Sequence, residues 1–180
     1  MNYKHNRQIT LPDGFINGQG KGEVSRMKYG ICTMAWNGCE MIALYNALVH
    51  IKRPENLSDI CREMYPRSSV LMGFFGSNVY VLGGFFDRRK IKYKKTYMYN
   101  NFFNELKNYD CGVCSFWNHR LLFSSLHTVC VKAADDGKIV VYNKTNGKTE
   151  PAEILNRSAL TNKKLFMVGY LIKGDEKNET

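Results

Sequence analysis

The stretch from Met34 to Leu48 constrains the chain most, because it predicts a short loop followed by an apolar helix that begins beside a cysteine. Asn37 is a favourable N-cap residue, and Glu40 stands three residues later, where its side chain can reach back to the backbone of the cap. This pattern places Cys39 in the first helical turn, where free backbone N–H groups and the helix dipole stabilise a thiolate. We therefore predict that the pKa of Cys39 is lowered and that its sulfur is a nucleophile.

The predicted helix is apolar around most of its circumference, which indicates a central helix covered on nearly all sides. The residues that carry this pattern are Met41, Ile42, Leu44, Tyr45, Leu48 and Val49. Gly38 lacks a side chain just before Cys39, so a substrate carbonyl can come close to the backbone there. The alternative hypothesis is that Cys39 is an ordinary small buried residue, which is the usual role of a free cysteine.

The length of 180 residues and the 44% hydrophobic content predict a single domain with a full core. We expect an irregular, glycine-rich N-terminal arm over residues 1–28, a globular domain over 29–173 and a charged tail over 174–180. No apolar run approaches the ~20 residues that a membrane-spanning helix needs.

The formal net charge is +10, from 26 Lys and Arg against 16 Asp and Glu, and basic residues are densest between Arg88 and Lys95. Clustered positive charge is typical of nucleic-acid binding. However, Lys90, Lys92 and Lys94 alternate with apolar residues, as on the solvent face of a strand. We favour an exposed strand face over a nucleic-acid site.

Six cysteines occur in the chain, and no signal peptide is recognisable before Arg26, so we expect a reduced cytoplasmic protein. Cys111 and Cys114 have the spacing of a metal or redox pair. No second pair of cysteines or histidines lies nearby to complete a zinc site, and the segment after Cys114 continues as a strand. We predict a structural role for both cysteines, with no metal and no cofactor.

The second half of the chain changes from helical to strand-like periodicity. We predict strands over 90–97, 112–117, 126–132, 138–143 and 165–172, with short helices over 100–108 and 151–155. A helical first half whose central helix packs on an antiparallel sheet makes an α+β domain.

A cysteine nucleophile needs a nearby base, and four histidines are available. His5 lies in the arm, and His50 lies at the far end of the central helix. His119 belongs to a polar loop. His127 opens a strand and is the candidate that we prefer.

The orienting group for this base is predicted from the hairpin that turns at Asp135 to Gly137. A register centred on residue 135 places His127 and Asn143 at the open end of the hairpin, opposite each other. The Asn143 side chain can then fix the imidazole ring toward Cys39.

The order of these elements resembles the papain-like cysteine peptidase superfamily, and most closely its compact double-glycine (C39-like) peptidase group. The resemblance covers roughly residues 29–172. It implies a papain-like fold in which Cys39 is the nucleophile, His127 the general base and acid, and Asn143 the orienting residue.

Two features depart from the pattern of that group. Gly38 precedes the cysteine, whereas the group usually has a glycine after it. The group also has an oxyanion-hole glutamine several residues upstream, where this chain has Thr33 and Met34, and Gln19 lies far away in the arm. We therefore take the Asn37 side chain as the candidate oxyanion donor, with a backbone amide near Cys39 as the alternative.

These observations predict a cysteine peptidase, or a related amidase or acyltransferase, that acts on a peptide or amide substrate. A non-catalytic papain-like module that binds a peptide or small partner is the alternative, because the upstream glutamine is missing. A nucleic-acid-binding protein is a third hypothesis, based only on charge and aromatic content.

Overall fold

The structure is a computed structural model that describes residues 2–74, 76–118, 125–161 and 164–175. The α-helices of the described residues are α1 (Tyr3–Arg7), α2 (Met34–Asn37), α3 (Cys39–His50), α4 (Leu57–Ser68), α5 (Gly83–Arg88), α6 (Tyr99–Glu105) and α7 (Ser158–Thr161). Short 3-10 turns cover Glu23–Arg26, Leu71–Gly73, Val79–Val81, Leu106–Asn108 and Asp135–Gly137.

The strands are β1 (Lys28–Tyr29), β2 (Cys32–Thr33), β3 (Lys92–Thr96), β4 (Cys111–Asn118), β5 (Ser125–Ala133), β6 (Ile139–Tyr142), β7 (Ala152–Ile154) and β8 (Lys164–Lys173). The first two form a small antiparallel ribbon. The others form a six-stranded sheet in the order β3-β8-β4-β5-β6-β7, in which every pairing is antiparallel. The predicted α+β class, with an antiparallel sheet, is confirmed.

Two local predictions in the second half are wrong. The segment around residues 151–155 is an edge strand instead of a helix, in which Ile154 is buried and Glu153 is exposed while both pair with β6. The β5–β6 hairpin pairs Val131 with Val141, so its register is centred on residue 136. The left-handed conformation of Asp136 places this residue at the tip of the turn.

The sheet separates two hydrophobic cores. On one face α3 packs chiefly against β5 and β4, and on the other face Phe102, Phe103 and Leu106 cover the sheet. Because side chains alternate along a strand, Cys111 belongs to the core beneath α3 and Cys114 to the opposite core. The two cysteines of the CxxC spacing therefore point away from each other.

The N-terminal arm, expected to be irregular, contains α1 and packs into the core beneath α3. Ile16, Val24 and Met27 are buried there. The side chain of Asn46, which is fully buried in α3, accepts a hydrogen bond from the backbone N–H of Ile16 at 2.8 Å. The same side chain donates to the Ile16 carbonyl at 2.9 Å. These two bonds attach the arm to the central helix.

The strand that contains the basic cluster has the predicted alternation, with Ile91 buried and Lys92 and Lys94 exposed. Several charges of the basic cluster are paired, since Lys94 contacts Glu105 at 2.7 Å and Arg89, which lies before the strand, contacts Glu55 at 2.6 Å. Among the described helices, none is long and apolar enough to cross a membrane.

Candidate active site

Helix α3 begins at Cys39, as expected, but its N-cap residue is Gly38. Asn37 is the last residue of α2, so its backbone is helical and cannot take the extended conformation of a cap. Its side-chain amide donates to the carbonyl oxygens of Gly73 and Phe74, the latter at 3.0 Å. The predicted capping role of Asn37 is therefore wrong. Both of its amide hydrogens bind the 71–76 loop, so this geometry does not support an oxyanion role for Asn37.

Gly38 is needed for packing between the two helices. A Cβ atom at this position would lie 2.3 Å from the sulfur of Met34, which is too close for any non-bonded contact. The glycine thus allows α2 to lie directly against the start of α3. This packing explains its presence without a substrate.

The thiol of Cys39 is almost fully enclosed, with 6% of the residue exposed. Its sulfur donates to Oε2 of Glu40 at 3.2 Å. Burial and the charge of Glu40 raise the pKa of Cys39 well above its usual value, and a hydrogen bond from the backbone N–H of Thr128 opposes the increase. The prediction of a lowered pKa is wrong for the resting structure, because burial and a neighbouring carboxylate outweigh the helix N-terminus.

Glu40 does not reach back to cap the helix as predicted. It turns into the protein, where 1% of the residue is exposed. Burial raises the pKa of Glu40 to about 7, although hydrogen bonds from its own backbone N–H, the Cys39 thiol and the Ser77 backbone N–H oppose the increase. A carboxyl group that titrates near neutrality thus lies against the candidate nucleophile.

His127 lies in β5, beside Asn143, the residue that follows β6. Its Nε2 atom is 2.9 Å from the backbone carbonyl oxygen of Asn143. Since a carbonyl oxygen only accepts, Nε2 carries the hydrogen of the neutral ring, and Nδ1 is left as the acceptor. Burial lowers the pKa of His127, and backbone hydrogen bonds to Asn143 and Lys144 partly oppose this decrease. A neutral imidazole with a defined tautomer is suited to act as a base.

The Cys39 sulfur contacts β5 at the residue that follows His127. The N–H of Thr128, which interacts with the Cys39 sulfur, belongs to the peptide bond that joins His127 to Thr128. The His127 Cβ lies on the sheet face of its cross-strand partner Phe116, whereas Leu126 packs on the α3 side. Because β6 ends at Tyr142, the ring is beside an open edge of β5.

The Cys39 sulfur and the His127 Cβ thus lie on opposite faces of β5, and among the described residues no hydrogen bond joins Cys39 to His127. The other candidate base in this region, His119, lies outside the described residues.

In the described part of the chain Asn143 contacts His127 through its backbone carbonyl, which differs from the predicted side-chain contact. Its left-handed conformation ends β6 and directs its carbonyl oxygen to the imidazole. Its side chain binds Gln19 instead. The Asn143 oxygen accepts from the Gln19 backbone N–H at 2.9 Å, and the Asn143 amide donates to the Gln19 side-chain oxygen at 2.8 Å.

Gln19 is the residue of this site that sequence reasoning missed. Although it is 20 positions before Cys39, it is buried and its amide donates to the Ala35 carbonyl of α2 at 3.2 Å. The flanking glycines were the available signal. A Cβ at Gly18 would lie 2.5 Å from the Lys148 carbonyl oxygen, and one at Gly20 would lie 3.0 Å from that of Asn146. Glycines at such close approaches hold Gln19 between α2 and the loop after β6.

No model of a known protein family matches the chain, and a search of curated proteins finds no significant match.

We expect the substitution Glu40→Gln to change the pH dependence of folding stability. The folded pKa of Glu40 lies at about 7, above the ordinary value of 4.5, so the fold favours the neutral carboxyl group. This contribution is complete below the unfolded pKa and is lost as the pH rises through the folded pKa. At about 1.4 kcal/mol per pKa unit the loss totals about 3 kcal/mol.

Denaturant unfolding between pH 4.5 and 8 measures this effect. The free energy of unfolding of the variant, relative to the unmodified protein, should increase by about 3 kcal/mol across that interval. The exposed Glu150→Gln serves as the control and should show no such trend. A constant difference for Glu40→Gln at all pH values would contradict the assignment.

Proposed function

We propose that this protein is a papain-like thiol enzyme that transfers the acyl group of a peptide or amide substrate through Cys39, most simply as a cysteine peptidase. The observation that carries the proposal is the state of His127. Its Nε2 hydrogen is bound to the Asn143 carbonyl, so Nδ1 does not carry the hydrogen of the neutral ring, and the Cys39 sulfur interacts with the N–H of the next residue, Thr128. Acyl transfer through a cysteine needs a nucleophile, a base and an orienting group, and we assign these roles to Cys39, His127 and Asn143.

In the proposed reaction the Cys39 sulfur attacks the substrate carbonyl carbon, and the thiol proton moves to Nδ1 of His127. The C–N bond of the tetrahedral intermediate then breaks, and His127 gives its proton to the leaving amine. Water hydrolyses the thioester to release the acid and restore the thiol. With an amine in place of water, the same intermediate leads to acyl transfer.

The oxyanion of the tetrahedral intermediate requires hydrogen-bond donors. The backbone N–H of Cys39, at the first position of α3, is one candidate. The Gln19 side-chain amide is the second, because it lies beside the α2 backbone just before Cys39. Gln19 thus takes the role that the sequence alone had given to Asn37.

Exposed apolar side chains close to this site support a peptide substrate. Trp36, three residues before Cys39, is 70% exposed. Met72 and Phe74 are also exposed, and their loop is attached to the site region through the bonds of Asn37 to Gly73 and Phe74. Exposed apolar residues grouped in this way are typical of binding surfaces.

A non-catalytic papain-like binding module is a second candidate, because Cys39 is buried and bound to Glu40 in the resting protein. Such a module would bind peptides without cleaving them. A nucleic-acid-binding role has less support, since several of the clustered basic residues pair with carboxylates.

The experiment that tests the enzyme proposal is cleavage of a mixed peptide library, followed by mass spectrometry. We expect cleavage by the unmodified protein and its loss in Cys39→Ala and His127→Ala, while the buried-cysteine control Cys61→Ala retains it. Peptide binding without cleavage would favour the binding module, and cleavage that survives in folded Cys39→Ala would exclude Cys39 as the nucleophile.

We also expect Gln19→Ala to lower turnover by about a hundredfold to a thousandfold, which is the usual effect of losing one oxyanion donor. Alkylation of Cys39 by iodoacetamide passes through no oxyanion and should change far less. Asn146→Ala is the matched control, because Asn146 donates to the same Ala35 carbonyl at 3.1 Å from an exposed position. Equal losses of turnover and alkylation would show that Gln19 acts only by supporting the fold.

A further inference from the structure

Glu40 is a buried ionisable group that the proposed acyl transfer does not use. Its carboxylate is directed toward the interior and accepts the Cys39 thiol hydrogen at 3.2 Å. An uncompensated buried carboxylate costs several kcal/mol, so an unused glutamate is not expected at such a position. The contact with the nucleophile gives this residue a specific chemical role.

The other groups that contact or influence Glu40 in the described part of the chain are polar and carry no positive charge. The backbone N–H of Ser77 donates to its carboxylate. The Tyr29 hydroxyl is hydrogen-bonded to the Ser68 and Ser77 hydroxyls. It lies close enough to Glu40 for the carboxylate charge to raise the pKa of Tyr29. Asn37 Oδ1 and Glu40 Oε1 each lie within 4 Å of the position that a Cβ at Gly76 would occupy. The Cys39 thiol is therefore the ionisable hydrogen-bond donor of this carboxylate among the described residues.

We propose that Glu40 is a positioning residue that holds the hydrogen of Cys39 and keeps the resting sulfur as a thiol, so that the nucleophile forms only when the thiol turns away from Glu40. The proposal rests on the proposed function in naming His127 as the group that then receives the proton. The bond from sulfur to hydrogen breaks as the bond from Nδ1 to hydrogen forms. Glu40 neither gains nor loses a proton in this step.

The opposite role for Glu40 is that of a base which removes the thiol proton. The two roles predict opposite effects of Glu40→Gln, which keeps the shape of the side chain and removes its charge. A negative charge beside the sulfur disfavours the thiolate, so its removal should favour the thiolate. If Glu40 were the base, its removal would leave the thiol unreactive.

The test is the rate of Cys39 alkylation by iodoacetamide from pH 5 to 10, read by mass spectrometry on the full chain. In Glu40→Gln the midpoint of the pH profile should decrease by at least about one unit, which increases the rate near pH 7 about tenfold. Glu150→Gln, an exposed charge-matched control, should leave the profile unchanged. An unchanged or higher midpoint in Glu40→Gln would overturn the proposal.

A second measurement uses the unmodified chain, in case the variant does not fold. Carbon-13 NMR follows the titration of the Glu40 carboxyl group before and after methyl methanethiosulfonate blocks Cys39. Because the thiol hydrogen bond lowers the pKa of Glu40, blocking should raise the titration midpoint. No change on blocking would overturn the proposal.

The outcome is separable from that of the proposed function, because alkylation requires no peptide substrate. If the alkylation profile shifts as expected but the protein cleaves no peptide, the proposed role of Glu40 stands and the peptidase proposal is rejected. If the protein cleaves peptides but the alkylation profile does not shift in Glu40→Gln, the peptidase proposal stands and the proposed role of Glu40 is rejected.

Discussion

The close packing of α3 on β5 is the constraint on which the rest of the site depends. It sets the first residue of the helix against the start of the strand, so that the Cys39 sulfur interacts with the peptide N–H that follows His127. Small residues make this approach possible, because Thr128 and Cys130 are fully buried in β5. A larger side chain at either position would push the helix away from the strand and separate the Cys39 sulfur from the Thr128 N–H. The position of the Cys39 sulfur is thus a consequence of core packing.

The N-terminal arm also contributes to the site, from a position outside the sheet. Its attachment to α3 through Asn46 brings Gln19 between α2 and the loop after β6. There the Gln19 side chain is hydrogen-bonded to the side chain of Asn143. The backbone carbonyl of Asn143 accepts the hydrogen bond from His127 and orients its ring. The arm, the central helix and the hairpin therefore depend on one another through buried hydrogen bonds, and such networks are stabilising only when every member is paired. Loss of one partner should affect the whole site.

Patterns that depend on short segments were predictable from the sequence, and contacts between distant segments were not. Apolar periodicity located α3 and the strands of the hairpin, and the α+β class followed from their order. The roles of Asn37 and Asn143 were wrong in detail, because α2 places Asn37 in a helix and the conformation of Asn143 directs its backbone, not its side chain, to His127. Gln19 was missed because its partner Asn143 is 124 residues away. The direction of the Cys39 pKa shift also depended on burial, which helix position alone does not give.

The central claim is that Cys39 forms a thioester with its substrate, and trapping that intermediate tests it most directly. A peptide identified as a substrate is mixed with the protein, the reaction is quenched with acid within milliseconds, and the intact chain is analysed by mass spectrometry. The account predicts an acyl adduct that maps to Cys39, reacts with hydroxylamine and is absent when Cys39 has been alkylated beforehand. Peptide turnover with no adduct on Cys39, or with an adduct on another residue, would contradict the account.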